Sequence, residues 1–252
     1  MIKVYLKQAW ELLKQNKLFS MLYIVGTGLA IAMTMVMAMV YYVKIAPVYP
    51  EVNRLNTLYL TSCKMESGTE GNKSQYQWAV SYKALQEWFY PTKNALCVSA
   101  QLDDRAFQNS YIQSADLSGD FPVKVKLTDP DFFRIYRFHF LEGSPFTASD
   151  LASGLCTAVI TDELSRRLFG TTEGVVGRSF RLDYTDYRVC GVIRSGSYLM
   201  RNSYSQVYLP YSVVSGYREP KYDMDYLGAF SVTFQVKDGE QGDALRAELK
   251  EI

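Results

Sequence analysis

The sequence predicts an α+β protein held in the membrane by one N-terminal transmembrane helix. Three observations predict this class. Residues 18–43 contain no charged side chain, lysines crowd on the N-terminal side of that run, and the rest of the chain alternates helix patterns with strand patterns that hairpins interrupt. The 252 residues are enough for one large domain or two small ones with a sizeable core.

The first element predicted is an amphipathic helix over residues 1–17. Leu6, Ala9, Trp10 and Leu13 recur at helical spacing, and lysines occupy the other side. Such a helix fits the inner leaflet of a membrane, where apolar side chains enter the lipid and lysines meet the headgroups. The alternative is an ordinary short helix that leads into the next element.

The charge-free run 18–43 predicts the transmembrane helix itself. At about 1.5 Å per residue its length is about 39 Å, more than the roughly 30 Å of the hydrocarbon core. A cleaved signal peptide would have a shorter apolar region and a small-residue cleavage site, which the following "YYVKIAPVYPE" lacks. Residues 1–17 hold four lysines and one glutamate, so the positive-inside rule places them in the cytoplasm and residues 44–252 outside the cytoplasmic (inner) membrane, in the periplasm or the extracellular space.

The charge of the outer part argues against a nucleic-acid partner. The whole chain holds 27 basic and 26 acidic residues, and subtracting the five lysines and one glutamate of residues 1–44 leaves 22 basic and 25 acidic. Nucleic-acid-binding domains concentrate basic side chains on one face. Membrane lipid is therefore the partner that the sequence itself indicates.

The outer part alternates short strands and helices. Strands are predicted where apolar residues alternate or cluster between turn signals, and helices where they recur every three or four residues. In chain order we expect a strand at 57–65, a polar loop at 66–75, a helix at 80–91, a strand at 95–107 with a candidate turn at Asp103-Asp104, and a strand at 121–129. A short helix capped by Asp129 or Asp131 follows, then a strand at 156–161, a helix at 162–170 that starts with a capping Thr or Asp and ends at Gly170, and a hairpin at 178–193 that turns near Thr185-Asp186. The last elements are strands in "QVYLPYS" and "LGAFSVTFQVK" and an amphipathic helix in "GDALRAELKEI", whose apolar face is still running at residue 252 and so suggests that the natural chain continues.

The sequence lacks the usual motifs for catalysis, cofactor binding and metal binding. The P-loop pattern G-x-x-x-x-G-K-[ST] does not occur, so we expect no ATP site. The only histidine, His139, excludes a paired-histidine metal site and is expected to pack or to lie at a strand edge. The acid pairs Asp103-Asp104 and Asp223-Asp225 lie in polar turns, where solvated carboxylates are usual.

Four cysteines are too far apart in sequence for a metal knuckle. All four fall on predicted strands with apolar neighbours, which favours buried free thiols, although a disulfide would be permitted outside the cytoplasm. They are Cys63, Cys97, Cys156 and Cys190.

Five linked motifs between residues 131 and 193 carry a family resemblance. They are the pair Phe132-Phe133, the phrase "LEGSPFTASD" with Ser144 where arginine is usual, the strand and helix "TAVITDELSRRLFG", and the segments "VVGRSFRL" and "YRVCGVI". In this order they resemble the MacB-like periplasmic core domain, which belongs to permease subunits of type VII ABC transporters of the MacB/FtsX/LolCE group. The resemblance covers nearly the whole chain, more loosely over 51–120 and 195–240.

The resemblance implies a fold, a mechanism and a set of structural residues. The fold is a porter-like α+β domain with a more β-rich insert. In the mechanism, a cytoplasmic ABC ATPase, separate or fused, closes a homodimer or heterodimer of permease subunits. The motion is transmitted outward for export or mechanotransmission. The resemblance implies that this chain supplies no catalytic, cofactor-binding or metal-binding residue. The fold signature comprises core phenylalanines, turn glycines and one helix-capping acid, namely Phe132, Phe133, Gly143, Phe146, Asp150, Phe169, Gly170, Gly177 and Gly191.

Two other functions fit one span followed by one outer domain. A membrane-anchored sensor or partner-binding module would have no further spans beyond residue 252, whereas the permease family has three. An anchored extracytoplasmic enzyme would need titratable groups that converge on a pocket, and the sequence shows no such set. No motif identifies the transported substrate or the activated partner.

Overall fold

The computed structural model describes residues 2–67, 74–113, 119–220 and 225–251. The chain divides into two compact units, Met1–Ala46 and Pro47–Ile252, called here the helical unit and the outer unit. The helical unit contains α1, Ile2–Gln15, and α2, Lys17–Ile45. α2 has 29 residues, a mean hydropathy of 1.9 and no buried side chain, so by length and composition it is able to cross a membrane.

Short helices of the outer unit begin and end where local side chains fix them. Thr161 caps α6 (Asp162–Phe169), because its hydroxyl accepts from the Leu164 N–H at 3.3 Å, and Gly170 ends that helix in the left-handed region. The helix α3 (Tyr82–Ala84) is a single turn that Ser81 caps and that continues as a wider turn through Leu85–Phe89. The helices are α3 (Tyr82–Ala84), α4 (Phe132–Ile135), α5 (Ala148–Ser153), α6 (Asp162–Phe169) and α7 (Gly239–Glu248).

The described strands join into one mixed sheet. They are β1 (Thr57–Leu60), β2 (Cys63–Ser67), β3 (Ser74–Val80), β4 (Cys97–Leu102), β5 (Ser110–Gln113), β6 (Asp120–Val123), β7 (Val125–Thr128), β8 (Phe140–Gly143), β9 (Thr157–Thr161), β10 (Ser179–Leu182), β11 (Thr185–Ile193), β12 (Val207–Pro210), β13 (Leu227–Gly228) and β14 (Phe230–Gln235).

The order of the strands separates the sheet into a helix-flanked part and a β-rich end. The order is β13-β3-β14-β4-β7-β12-β9-β11-β10-β5-β6, with β1 beside β14, β2 beside β3 and β8 beside β11. Only the pairs β9–β11 and β7–β12 are parallel among these described strands. The strands β5, β6 and β10 form the end of the sheet, as expected for a β-rich insert. Together with α2, this mixed architecture confirms the predicted fold class.

Two predicted strands are each divided where the chain changes its partner. The stretch 57–65 forms β1, which pairs with β14, and then β2, which pairs with β3. The stretch 121–129 forms β6, beside β5, and then β7, beside β12 and β4. Apolar alternation reports which face of a strand is buried, and it continues through Lys124, so the pattern contains no sign of the change.

Three smaller expectations differ from the structure in detail. The strand predicted at 95–107 ends at Leu102, directly before the candidate turn at Asp103-Asp104, and a separate turn of helix follows at Arg105–Phe107. The hairpin turns at Asp183-Tyr184, both with positive φ, two residues before the predicted position. The predicted loop at 66–75 lies mostly outside the described residues, but strand pairing extends to Ser67 on one side and Ser74 on the other.

The cysteines agree with expectation in their thiol state but not in their burial. All four are free thiols, as their apolar neighbours in sequence favoured. Cys97 is buried and Cys63 and Cys190 are half-buried, but Cys156 is exposed because it precedes β9 rather than lying in it. The apolar run that follows Cys156 had suggested that it shares the burial of the strand.

Candidate functional site

Two structural features of the outer unit bear on its function. The first is the segment that continues the chain from α2, residues 47–56, which we call the entry segment. The second is an aromatic cluster around α4. In the part of the chain that the structure describes, no three His, Cys, Asp or Glu side chains lie together as metal ligands would.

The entry segment is bonded to strands that are distant in sequence. The Tyr49 hydroxyl donates to the Arg194 carbonyl at 2.8 Å and accepts from the His139 N–H at 3.2 Å. The Arg137 N–H donates to the Pro50 carbonyl at 3.2 Å. His139 itself is exposed, and its part in this contact is made by its backbone. His139 therefore contributes its backbone, and not its ring, to the attachment of the entry segment.

A buried ion pair fixes the middle of the entry segment. The Glu51 side chain is 1% exposed and accepts from Arg54 at 2.6 Å and from the Ser203 hydroxyl at 2.6 Å. The Arg54 side chain is 14% exposed, so both charges are largely removed from water. Breaking such a pair by removing one partner typically costs about 3–5 kcal/mol, because the remaining charge is left without compensation. The ion pair braces the segment internally, and the Ser203 hydroxyl ties Glu51 to the rest of the outer unit.

The aromatic cluster is built on the first turn after β7. Phe132 is fully buried and Phe133 nearly so, and both rings pack on Tyr208 with centroids 5.6 and 5.8 Å away. Phe146 closes one side, 5.4 Å from Phe133, and Phe138 closes another, 5.8 Å from Phe132. The three signature phenylalanines of this region therefore meet in one apolar cluster.

A buried acid, Asp129, holds α4 against the sheet. Its carboxylate accepts from the Ser99 hydroxyl and the Ala100 N–H, both at 2.7 Å, and from the Phe132 N–H and the Tyr90 hydroxyl, both at 3.1 Å. Burial raises the pKa of Asp129 to about 6, although these donors favour the charged form. Of the two capping acids that the sequence offered, Asp129 caps α4 with its side chain. Its neighbour Asp131 instead pairs with Arg134 at 2.7 Å.

Two signature glycines lie where strands β8 and β11 approach each other closely. Gly143 has a φ of +71°, and a Cβ atom there would collide with the Cys190 carbonyl. At Gly191 a Cβ atom would lie 2.6 Å from the Ser144 carbonyl. Both positions therefore exclude a side chain for steric reasons, and Gly143 does so for conformational reasons as well.

The remaining signature residues lie at ordinary structural positions. Asp150 is the third residue of α5 and caps it from within a capping box: its carboxylate accepts from the Thr147 N–H, and the hydroxyl of Thr147, the N-cap residue, accepts from the Asp150 N–H. Phe169 is half-buried beside the main core, and Gly177 has a φ of +90°. The structure brings Phe132, Phe133 and Phe146 together, whereas Phe169 and Gly170 lie at the end of α6.

The predicted acid pairs have no catalytic arrangement among the described residues. Asp104 caps the turn of helix that follows β4. Asp225 is exposed and pairs with Lys83 at 2.6 Å, while Asp223 lies outside the described residues. Sequence reasoning missed Glu51 and recognised Asp129 only as one possible cap, because the partners of both are distant in sequence.

Comparison with known proteins agrees with this architecture. Macrolide export ATP-binding/permease protein MacB of Shigella dysenteriae serotype 1 (strain Sd197) is 25% identical over 240 residues, 93% of this chain, and its counterpart in Escherichia coli (strain K12) matches to the same extent. The chain spans about a third of the length of these relatives, 34%.

Solved structures show the same fold. The periplasmic region of MacB from Actinobacillus actinomycetemcomitans matches with a TM-score of 0.52 and 14% identity, covering 76% of this chain and 83% of that one. The extracellular domain of the noncanonic ABC-type transporter YknZ from Gram-positive bacteria matches with a TM-score of 0.53 and 15% identity, covering 75% and 88%. The model of the MacB-like periplasmic core domain matches residues 20–252. The resemblance seen in the motifs is thus confirmed, and the chain belongs to the MacB-like periplasmic core domain family.

Proposed function

We propose that this chain is part of a permease subunit of an ABC transporter of the MacB/FtsX type. In this function, ATP hydrolysis by a cytoplasmic ABC ATPase moves the outer unit, which exports a substrate or activates a partner. Family membership supports the transporter class. The relatives named above combine ATP binding and permease functions in one protein of which this chain matches a third, so the ATPase is either a separate subunit or a part of a longer chain.

The observation that carries the coupling proposal is the attachment of the entry segment. Residues 47–56 continue directly from α2 and are attached to the rest of the outer unit by the hydrogen bond from Ser203 to Glu51 and by the Tyr49 hydrogen bonds. A flexible linker in this place would absorb a displacement of the membrane helix. A segment attached by these bonds transmits such a displacement to the outer unit, which is what mechanical coupling needs.

The proposed arrangement also includes an orientation and partners. Lysines precede α2, so residues 1–17 lie in the cytoplasm and residues 45–252 outside the inner membrane. α1 lies on the inner leaflet and contacts lipid, and two permease subunits, identical or different, form the transporter. A reporter fusion after residue 60 tests the orientation. Activity of that fusion only in the cytoplasm would contradict both the orientation and the permease function.

Coupling is tested with the full-length subunit and its ATPase in lipid nanodiscs. Spin labels at the exposed position 184 of two subunits report the distance between their outer units with and without ATP. We expect an ATP-dependent change in the wild type and a smaller change in Glu51→Gln, with ATPase association retained. The control is Glu173→Gln, which changes an exposed glutamate on a loop.

Three results would contradict the proposal in different ways. If the full-length subunit associates with no ATPase, the sensor or partner-binding function is favoured instead. If Glu51→Gln leaves the ATP-dependent distance change intact, the entry segment is not the coupling element. Saturable ATP binding by the chain itself at micromolar affinity would contradict the proposal that the ATPase, and not this chain, binds ATP.

A further inference from the structure

A cleft of about 480 Å³ opens in the outer unit between α3, α4, α5 and the turn of helix at Tyr211–Val213. Its volume lies within the range of small-molecule sites, which are mostly apolar and carry a few fixed polar groups. One wall is formed by the small or aliphatic side chains Ala148, Leu151 and Ala152 of α5, and polar and charged side chains line the cleft beside α4. The opposite wall consists of tyrosines, namely Tyr82, Tyr90, Tyr211 and Tyr217.

The tyrosine wall is preformed, because the rings hold one another. Tyr82 and Tyr217 meet edge to face with centroids 5.1 Å apart, and Tyr211 lies 5.3 Å from Tyr217. Tyr211 also packs on the buried Phe230 at 5.2 Å. Tyr90 is fixed by the donation of its hydroxyl to Asp129. A wall with its rotamers already fixed loses little conformational freedom when a ligand binds.

The acids around the cleft are already occupied. Asp129 accepts four hydrogen bonds, two on each carboxylate oxygen, so none of its acceptor sites is left for a ligand. Asp131 pairs with Arg134. A cationic ligand would therefore have to displace a bond that the fold uses.

Arg218 is differently placed. It is exposed at the rim, where its Nε donates to the Tyr217 hydroxyl at 2.9 Å and its guanidinium carbon lies 5.3 Å from the centre of that ring. It makes no ion pair with any acid among the described residues. The hydrogen bond and the ring orient the guanidinium, and its terminal nitrogens stay available as donors.

We propose that this cleft binds a small amphipathic anion, with an apolar ring-bearing body against the tyrosines and a carboxylate on Arg218. The charge-assisted bond to the guanidinium selects the carboxylate, and the preformed apolar walls select the body. The site lies within one copy of the outer unit. It requires neither ATP nor a second subunit, so its test succeeds or fails independently of the permease proposal.

The test compares two probes that share one body, naphthalene-2-carboxylate and the uncharged naphthalene-2-carboxamide. Each is titrated by calorimetry into the full chain in lipid nanodiscs, with empty nanodiscs as the blank. We expect the carboxylate to bind roughly tenfold more tightly than the amide, the ratio typical of one charge-assisted hydrogen bond. Arg218→Gln should abolish this preference, whereas Tyr217→Ala should weaken both probes.

The control is Arg246→Gln, which changes an exposed arginine on α7, far from this cleft in sequence and paired with Asp243. It should bind both probes as the wild type does. Equal affinities for the two probes, or an unchanged preference in Arg218→Gln, would overturn the proposal. A doubled mass in light scattering that Arg218→Gln reduces would also overturn it, because the cleft would then be the contact between two copies.

Discussion

The substitution Phe132→Ala tests whether the signature phenylalanines form the structural centre of the outer unit. Phe132 has no exposed surface and four aromatic neighbours within 6 Å, at centroid distances from 4.6 to 5.8 Å. The alternative is that this aromatic stretch serves a substrate surface, in which case truncation would reduce function and leave stability unchanged.

The expected loss follows from these contacts. Truncation of a buried phenylalanine to alanine costs about 3–5 kcal/mol in transfer and cavity terms. Each favourable ring pair adds about 0.5–1.5 kcal/mol beyond the buried area, so four neighbours place Phe132→Ala at the upper end, about 5 kcal/mol. For a domain of this size, about 2–4 °C of Tm is lost per kcal/mol, which gives a decrease of about 10–20 °C.

The assay is thermal and urea unfolding of the outer unit, residues 47–252. Related outer domains were solved in isolation, and this unit is compact by itself, so it is a suitable specimen. Tyr184→Ala is the control, because that ring is 93% exposed and its loss should change stability by less than about 0.5 kcal/mol. A Phe132→Ala variant that melts with the wild type would refute the structural role.

Three further predictions concern single contacts. The pKa of Asp129 is about 6 in the folded protein and 3.8 ordinarily, so the free energy of unfolding should fall by up to about 3 kcal/mol as the pH rises from about 4 to 6. Asp129→Asn should remove most of this pH dependence, measured by urea unfolding at several pH values. A pH dependence that Asp129→Asn leaves unchanged would belong to another group. Gly143→Ala should lower the Tm several times more than Gly174→Ala, since both glycines have positive φ but only Gly143 lacks room for a Cβ; equal losses would contradict the steric argument. Glu51→Gln should lower the free energy of unfolding in urea by about 3–5 kcal/mol, because it removes the buried charge that pairs with Arg54, and a loss below about 1 kcal/mol would contradict the role of the buried pair.

Elements defined by local chemistry were predictable from the sequence. α2 follows from an uninterrupted apolar run, and α6 from a capping threonine at one end and Gly170 at the other. The family followed from motifs that combine such local signals in a fixed order. In these cases, the residues that determine the structure are neighbours in the chain, so the pattern contains the information.

The contacts that organise the candidate sites were not predictable in this way. Glu51 meets Ser203 across 152 positions, and Asp129 meets Ser99 across 30. A single sequence does not report which distant strands pair, and the change of partner after Val123 leaves the apolar alternation intact. The exposure of Cys156 was missed for a related reason, because an apolar neighbourhood in sequence does not specify where a strand begins.

The aromatic cluster and the tyrosine cleft share one buried acid, and this decides which variants distinguish them. Asp129 holds the N-terminus of α4 through Phe132 and fixes Tyr90 in the cleft wall. Damage to the cluster therefore disturbs the cleft as well, so a loss of probe binding in Phe132→Ala would not locate the binding site. Arg218 is exposed, and its hydrogen bond among the described residues goes to Tyr217 at the rim, so Arg218→Gln separates ligand binding from folding. This variant should lose the preference for the carboxylate while its unfolding curve stays that of the wild type.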